Sequence, residues 1–456
     1  MNNETHQLSK DDIIELLSKD DETIRQHIAS IVHTADINEF FRQVDIDEWP
    51  RLLNLIDDEE QRAEVVFGFD RDEWKKLLPL LSPKQIASVL RELETDDAAD
   101  LLADVPMSER FEALRLLGQK ERIQVQQLLR YPEDSAGGIM QLELAWVDQD
   151  ASVIDAINVV RQLVEDDVEV LQVWVVDQER RLVGTLALVD LLLNKATKKV
   201  SAIMDTDIVS VKPLVDQEEV ALIFKKYDLL SLPVVDDNNR LLGRIVVDDV
   251  VDVLAEEAEE DALHMAGTTT EELLHQTAVV ATARVRLPWL GVALGCSLIS
   301  GLILHLFQPT VQKAVVILSF LPVITAMGGN VGTQSATLLI RGFGTGKFDL
   351  SHVPLFLYKE LRVGLLMGMI YGAITGLTAV FVLTDQNWYL GMVVFMAMTM
   401  GMMTASIMGV IAPALLKRFD FDPAIASGPF VTTLNDITGV LIYMVIATIF
   451  LDELRA

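Results

Sequence analysis

The sequence predicts a multidomain membrane protein: an α-helical superhelix, then a tandem pair of α/β units, then a five-helix transmembrane domain. Three observations predict it. Charge is divided along the chain: residues 281–456 carry a net +2, so the first 280 carry −33 of the total −31. Five apolar stretches follow residue 288, each long enough to cross a bilayer at about 20 residues per helical span. The middle holds an internal repeat, WVVDQERRLVG (174–184) against PVVDDNNRLLG (233–243), offset by 59 residues.

Residues 1–135 read as short amphipathic helices throughout. Runs such as SPKQIASVLRELETDDAADLLADVPMSERFEALRLLGQ repeat apolar positions at 3.6 spacing, with Ser and Pro where caps and first turns belong. Residues 136–199 and 200–255 are the two repeats. In each, a helix (DASVIDAINVVRQL, DQEEVALIFKKY) precedes strand, turn and strand, and an acidic helix start follows at Asp190 or Asp249. This duplicated β-α-β-β-α unit resembles a tandem pair of CBS domains, which implies a dimerising sensor with an adenine nucleotide in its cleft. Residues 256–286 form a connecting segment. On a helix its Glu256, Glu257, Glu260 and Asp261 lie on neighbouring faces at i, i+3 and i+4. They are either a solubilising run or like charges that repel until a cation sits between them.

The membrane domain, 287–456, has spans at about 289–307, 314–340, 363–383, 388–416 and 430–451. Lys and Arg alternate between its ends: Arg284 and Arg286 before the first span, Arg341, Lys347, Lys359 and Arg362 in the second loop, Lys417 and Arg418 in the fourth. That alternation places the acidic front half in the cytoplasm and the C-terminus outside a multi-pass inner membrane protein. The N-terminus, MNNETHQLSKDD, has no apolar core of a cleavable signal. A single cysteine, Cys296, excludes a disulfide framework or a cysteine zinc site within one chain. The anionic front half repels nucleic acid and attracts cations. Seven histidines form no HExxH, and no GxSxG or P-loop occurs, so the chain reads as no enzyme.

The spans differ in character. The third carries Gly364, Gly368, Gly372 and Gly376 at strict four-residue spacing, a stripe that lets another helix approach closely. The fourth is rich in methionine, which fills irregular packing gaps. The second, PVITAMGGNVGTQSATLLIRG, is expected to be a broken helix, with a merely kinked one as the other reading: Pro322, Gly328, Gly329 and Gly332 interrupt it, and Asn330, Thr333, Gln334 and Ser335 are polar among them. Broken backbone at membrane depth is tolerated where it lines a wet cavity. The fifth has Asp436 in an otherwise apolar helix, with Thr432 one turn before it and Thr433 and Asn435 beside it. A mid-bilayer carboxylate costs a few kcal/mol or more, and no Lys or Arg lies inside spans three to five to pair with it. It reads as a cation site, with a hydrogen-bonded structural carboxylate as the other reading.

The order of parts resembles the MgtE family of magnesium channels, most specifically through MGGNVGTQSATLLIRG (327–342) and DPAIASGPFVTTLNDITG (422–439). The resemblance covers essentially the whole chain. It implies a homodimer in the lipid bilayer with a pore on the dimer axis, Asp436 as the pore carboxylate, and Thr432 and Asn330 beside it. It also implies regulatory Mg2+ sites among Glu64, Asp96, Asp100, Glu218, Asp228, Asp249, Asp252, Glu257, Glu260, Asp261 and Asp422. The expected function is a magnesium-selective channel of the inner membrane. Flux is passive and inward, driven by membrane potential and closed by cytosolic Mg2+. The alternative is a proton-coupled divalent-cation transporter working at Asp436.

Overall fold

The computed structural model describes residues 15–165, 168–269, 279–383, 387–419, 421–426 and 428–450. Two compact units divide the chain, residues 1–254 and 255–456.

The first unit opens with nine α-helices among the described residues, α1 to α9, between Asp21 and Leu128. They are short because the chain supplies a stop or a cap at each turn. Capping boxes join Asp70 to Glu73 and Ser82 to Gln85, each satisfying two otherwise orphaned backbone donors. Their apolar faces meet around Phe41, Trp49 and Phe69, with Trp49 and Phe69 stacked at 4.3 Å. The seventh, α7 (Thr95–Asp104), starts with Asp96 and Asp97 in its first turn.

The CBS pair follows. Strand β1 (Trp146–Asp148) runs parallel to β2 (Gln172–Val176), with Trp146 opposite Trp174, and α10 (Val153–Glu165) connects them. β3 (Leu182–Ala187) returns antiparallel to β2, with Gln172 opposite Ala187, and leads into α11 (Leu188–Leu193). The second copy places α12 (Gln217–Tyr227) before the antiparallel pair β4 (Ser231–Val235) and β5 (Leu241–Val246). The repeat read from the sequence recurs at the turn between the paired strands, where Arg180 and Asn239, 59 positions apart, both sit at φ 62°, while the first copy has three strands and the second two. They also bond each other's strands, Leu182 N–H to Asn239 O at 2.9 Å and Leu241 N–H to Arg180 O at 3.1 Å. The core of the helical domain runs on into the second repeat through Val220, Phe224, Leu232 and Ile245.

Helix α13 (Val247–Ala266) spans the unit boundary and ends at Gly267, φ 79°, a left-handed stop suited to glycine. The connecting segment foreseen at 256–286 is therefore divided. Residues 270–278 of it lie outside the described residues, and 279–286 are the opening turns of α14 (Val279–Leu306), within which the first apolar span is Thr282–Leu306.

The five apolar helices expected are observed. α15 (Gln308–Lys313) and a 3-10 turn, Val315–Phe320, lead into α16 (Leu321–Gly344). The expectation of a broken second span is wrong: α16 is continuous. Pro322 stands in its first turn, where a missing N–H costs nothing. The glycines serve close packing instead, since a Cβ on Gly332 would lie 2.9 Å from Val431 Cγ1. α17 (Val353–Thr378), α18 (Trp388–Arg418) and α19 (Gly428–Ile449) complete the bundle. The glycine stripe of α17 lies directly on α18: a Cβ at Gly368 would stand 2.7 Å from Thr399 Cα.

Candidate ion pathway and acidic clusters

The polar residues of α16 and α19 meet along one seam. Thr333 and Thr432 face each other with hydroxyl oxygens 3.4 Å apart. Asn435, 3% exposed, donates from Nδ2 to the Gly328 carbonyl at 3.4 Å. The Gly329 side of α16 is bare, and a Cβ there would come within 3.1 Å of Thr432 Cγ2. Asp436 follows Thr432 by one turn and is half-buried, with no hydrogen bond or ion pair to another described residue. Asn330 and Gln334 are exposed on the same helix as Thr333. At its other end α19 is tied down by Tyr443, fully buried, whose hydroxyl donates to Ile317 O at 2.8 Å, and by Thr448, 2.9 Å from Thr310. Thr333 and Thr432 thus meet between two intact helices, one turn from Asp436, while Asn330 lies on the exposed side of α16. A carboxylate, hydroxyls and amides, all hard oxygen donors or their hydrogen-bonding neighbours, suit a hydrated divalent cation better than a soft metal.

A second acidic feature lies within the first unit. Gln141 Nε2 donates to Glu94 Oε2 at 2.5 Å and to Asp249 Oδ2 at 3.3 Å, linking the start of α7 to the start of α13. Asp96, 4% exposed, has one carboxylate oxygen buried without a partner. Burial, then the neighbouring Asp249 and Glu94, pushes Asp97 up to about 8. Burial, then Asp248 and Glu94, pushes Asp249 up to about 7. Burial and the adjacent Asp97 also raise Asp96 well above the carboxylate range. Each of these shifts says that the charged form is disfavoured where it stands. A proton or a cation relieves that.

Of the expected regulatory acids, Asp96, Asp100, Asp249 and Asp252 fall in or beside this cluster, with Asp100 acting on Asp97 and Asp252 on Asp249. Glu64 accepts a hydrogen bond from Thr34 at 2.6 Å on the helical domain's surface. Glu218 begins α12, and Asp228 ends it at φ 51°. Glu64 is on the helix Glu59–Phe67 and the other two stand at opposite ends of α12, and no group of three or more metal-ligating side chains converges among the described residues.

The third feature belongs to the second unit. Glu257, Glu260 and Asp261 lie near the end of α13. His264, one turn on from Glu260, places Nε2 3.7 Å from Glu260 Oε1 and Nδ1 2.9 Å from Asp422 Oδ2. The bond to Asp422 raises the His264 pKa above its ordinary value. Met265 packs beside Ala336, Ile340, Ala424 and Val431, at the ends of α16 and α19.

Sequence reasoning missed Glu94, Asp97 and Asp248 as cluster members, and it missed His264, whose signal was its i+4 spacing from Glu260. It also missed Glu360, which is 5% exposed in α17 and accepts from Ser335 Oγ at 2.8 Å. Glu360 lies in KELR, which looks like a polar loop end until the helix is seen to begin at Val353.

Five apolar helices, an oxygen-rich seam across two of them and an acidic unit with a CBS pair define a multi-pass transporter of divalent cations. Residues 321–446 match a family model described as a divalent cation transporter, 32–134 the MgtE intracellular N domain, and 200–256 the CBS domain. The chain belongs to the MgtE family of magnesium transporters, which are not enzymes. It is 35% identical to the magnesium transporter MgtE of Bacillus subtilis, over 86% of each chain. It is 33% identical to that of Thermus thermophilus, over 96% of this chain and 97% of the other. A solved structure of the cytosolic domain of the Mg2+ channel MgtE in complex with ATP aligns over 54% of this chain and all of its own, with 32% identity and a TM-score of 0.50.

Proposed function

We propose that the chain is a magnesium-selective channel of the inner membrane, working as a homodimer. In this reading the acidic unit is in the cytoplasm, the C-terminus is outside, and the pore lies between two copies of the α16–α19 seam. The observation that carries the reading is Asp436: half-buried, unpartnered among the described residues, and set on a polar seam in an apolar bundle. A lone carboxylate there is costly unless it faces water or an ion. A second copy would cover the exposed Asn330 and Gln334 and bring a second carboxylate to the axis.

Magnesium sheds its waters reluctantly. Two carboxylates and a ring of amide and hydroxyl groups hold such an ion through its hydration shell, so that charge attracts and cavity size selects. Each 100 mV is worth about 4.6 kcal/mol to a divalent ion, on the order of a thousand-fold accumulation. An open pore would overfill the cell, and a closing sensor is the physical counterpart. The cluster of Asp96, Asp97 and Asp249 and the acids of α13 with Asp422 are the proposed regulatory Mg2+ sites. Glu64, Glu218 and Asp228 are proposed to add to them when domains close. The CBS pair is proposed to take an adenine nucleotide, as the ATP complex of the similar cytosolic domain supports.

The test is magnesium influx into liposomes at an imposed negative potential, with single-channel recording. Asp436→Ala should abolish influx. Influx that survives Asp436→Ala would refute the pore assignment. Saturable flux coupled to proton movement, without unit current steps, would establish the transporter reading instead.

A further inference from the structure

Glu360 takes no part in the seam, yet it is an acid enclosed in the apolar bundle, 5% exposed. An enclosed carboxylate is retained at a cost unless its oxygens are bonded. One oxygen receives the Ser335 hydroxyl at 2.8 Å, a charge-assisted bond, and the other lies 3.8 Å from the ammonium of Lys359.

Ser335 is 1% exposed and lies on the back of α16, with Gly328, Gly332 and Leu339, while Asn330 and Gln334 are on the exposed side. That back is smooth. Gly409 of α18 would, with a Cβ, stand 3.0 Å from the Gly332 carbonyl carbon, so backbone rests on backbone. Such contacts hold the helices close without a directional side-chain bond. Among the described residues, the Ser335–Glu360 bond is the one side-chain hydrogen bond joining α16 to α17. Each residue turns a helix about 100°, so fixing Ser335 fixes the direction of Asn330 and Thr333.

We propose that Glu360 is a positioning residue for ion conduction: through Ser335 it sets the rotation of α16 and so aims Asn330 and Thr333 along the seam with α19. The inference rests on reading that seam as the ion pathway. Glu360 does not touch the ion. What it controls is the width and lining of the seam, hence selectivity as well as rate.

The experiment uses the full chain in liposomes and reads Mg2+ influx together with the ratio of Mg2+ to Ca2+ and Na+ influx. The ratio is independent of how much protein is folded. Glu360→Gln keeps an oxygen that accepts from Ser335 and should stay within about threefold of the parent in flux, with its ratio unchanged. Glu360→Ala and Ser335→Ala should each lose flux by about tenfold or more and lower the ratio. The double variant should be no worse than either single one, because both remove the same bond. Ser335→Ala deletes one oxygen only and keeps the test sharp where Glu360→Ala folds poorly. Parent-like ratios in both alanine variants would overturn the proposal. So would a Glu360→Gln as damaged as Glu360→Ala beside an unaffected Ser335→Ala, since charge and not the bond would then be required. Asp436→Ala, run in parallel, separates the two failures: if it conducts, the seam is not the pathway. If it is silent while the Glu360 and Ser335 variants keep the parent ratio, only the positioning role falls.

Discussion

His264 Nδ1 lies 2.9 Å from Asp422 Oδ2, joining the end of α13 to the residues just before α19. The same carboxylate accepts from the Ala424 N–H at 2.7 Å through its other oxygen, so it is held on both sides. The histidine's pKa is raised by this partner from its ordinary 6.5. The pair's contribution is therefore fully present below about pH 6.5 and is lost as pH rises through the raised value.

In the proposed gating, His264→Ala should raise the Mg2+ concentration that half-inhibits influx, about threefold at pH near 6, and change it little at pH near 8.5. Flux titrated with internal Mg2+ at the two pH values checks this. An equal shift at both would mean that the ring acts by packing rather than by charge.

Magnesium should release protons from the first unit. Asp97 and Asp249 titrate near 8 and 7, above the ordinary carboxylate, so the folded cluster holds protons that the unfolded chain has lost. The sign is that stability from these groups is greatest at acid pH and falls as pH rises through 7 to 8, and Mg2+ restores it by replacing the proton. Proton release on adding Mg2+ to weakly buffered protein should be large near pH about 6.5, small above about 9, and mostly gone in Asp97→Asn/Asp249→Asn. Release that is unchanged in the double variant counts against the cluster as a Mg2+ site.

Neutralising Asp249, Asp252, Glu257 and Glu260 together to their amides should leave open-channel flux near parental and move half-closure to at least about tenfold higher Mg2+, since weak sites of about 1 kcal/mol each sum in the gate. Conductance that still shuts off at the parental concentration counts against these acids as the proposed closing Mg2+ sites.

Gly332→Val would drive a side chain into Val431 and the amide of Asn435. Overpacking of this kind costs about 1–3 kcal/mol. The expected outcome is a lowered melting temperature and lost influx. Gly291→Val, where a Cβ meets nothing within 4 Å, is the matched control and should keep both.

Much of this was legible beforehand because it rests on pattern. Charge partition, hydropathy and the 59-residue repeat depend on local composition, and the folded chain keeps them. Span two was misread because Pro322 and three glycines were taken as interruptions. Proline in a first turn is compatible with a helix, and glycine between helices is a contact surface. Asp436 stood out as a charge inside an apolar run. Glu360 did not, because its burial comes from α16 and α18, which are distant in sequence. The carboxylates around Asp96 were hidden for the same reason: Gln141 and Asp249 reach α7 only through the tertiary fold.

The four glycines of α17 bring its backbone against α18: a Cβ at Gly364 would stand 3.0 Å from Met402 O and one at Gly376 2.6 Å from Gly391 O. α19, by contrast, meets α16 through polar contacts 3.4 Å long at Thr333–Thr432 and Gly328–Asn435, and is moored at its far end by Tyr443. If the seam is the ion pathway proposed above, its long polar contacts are where it would widen, with Tyr443 holding the far end of α19.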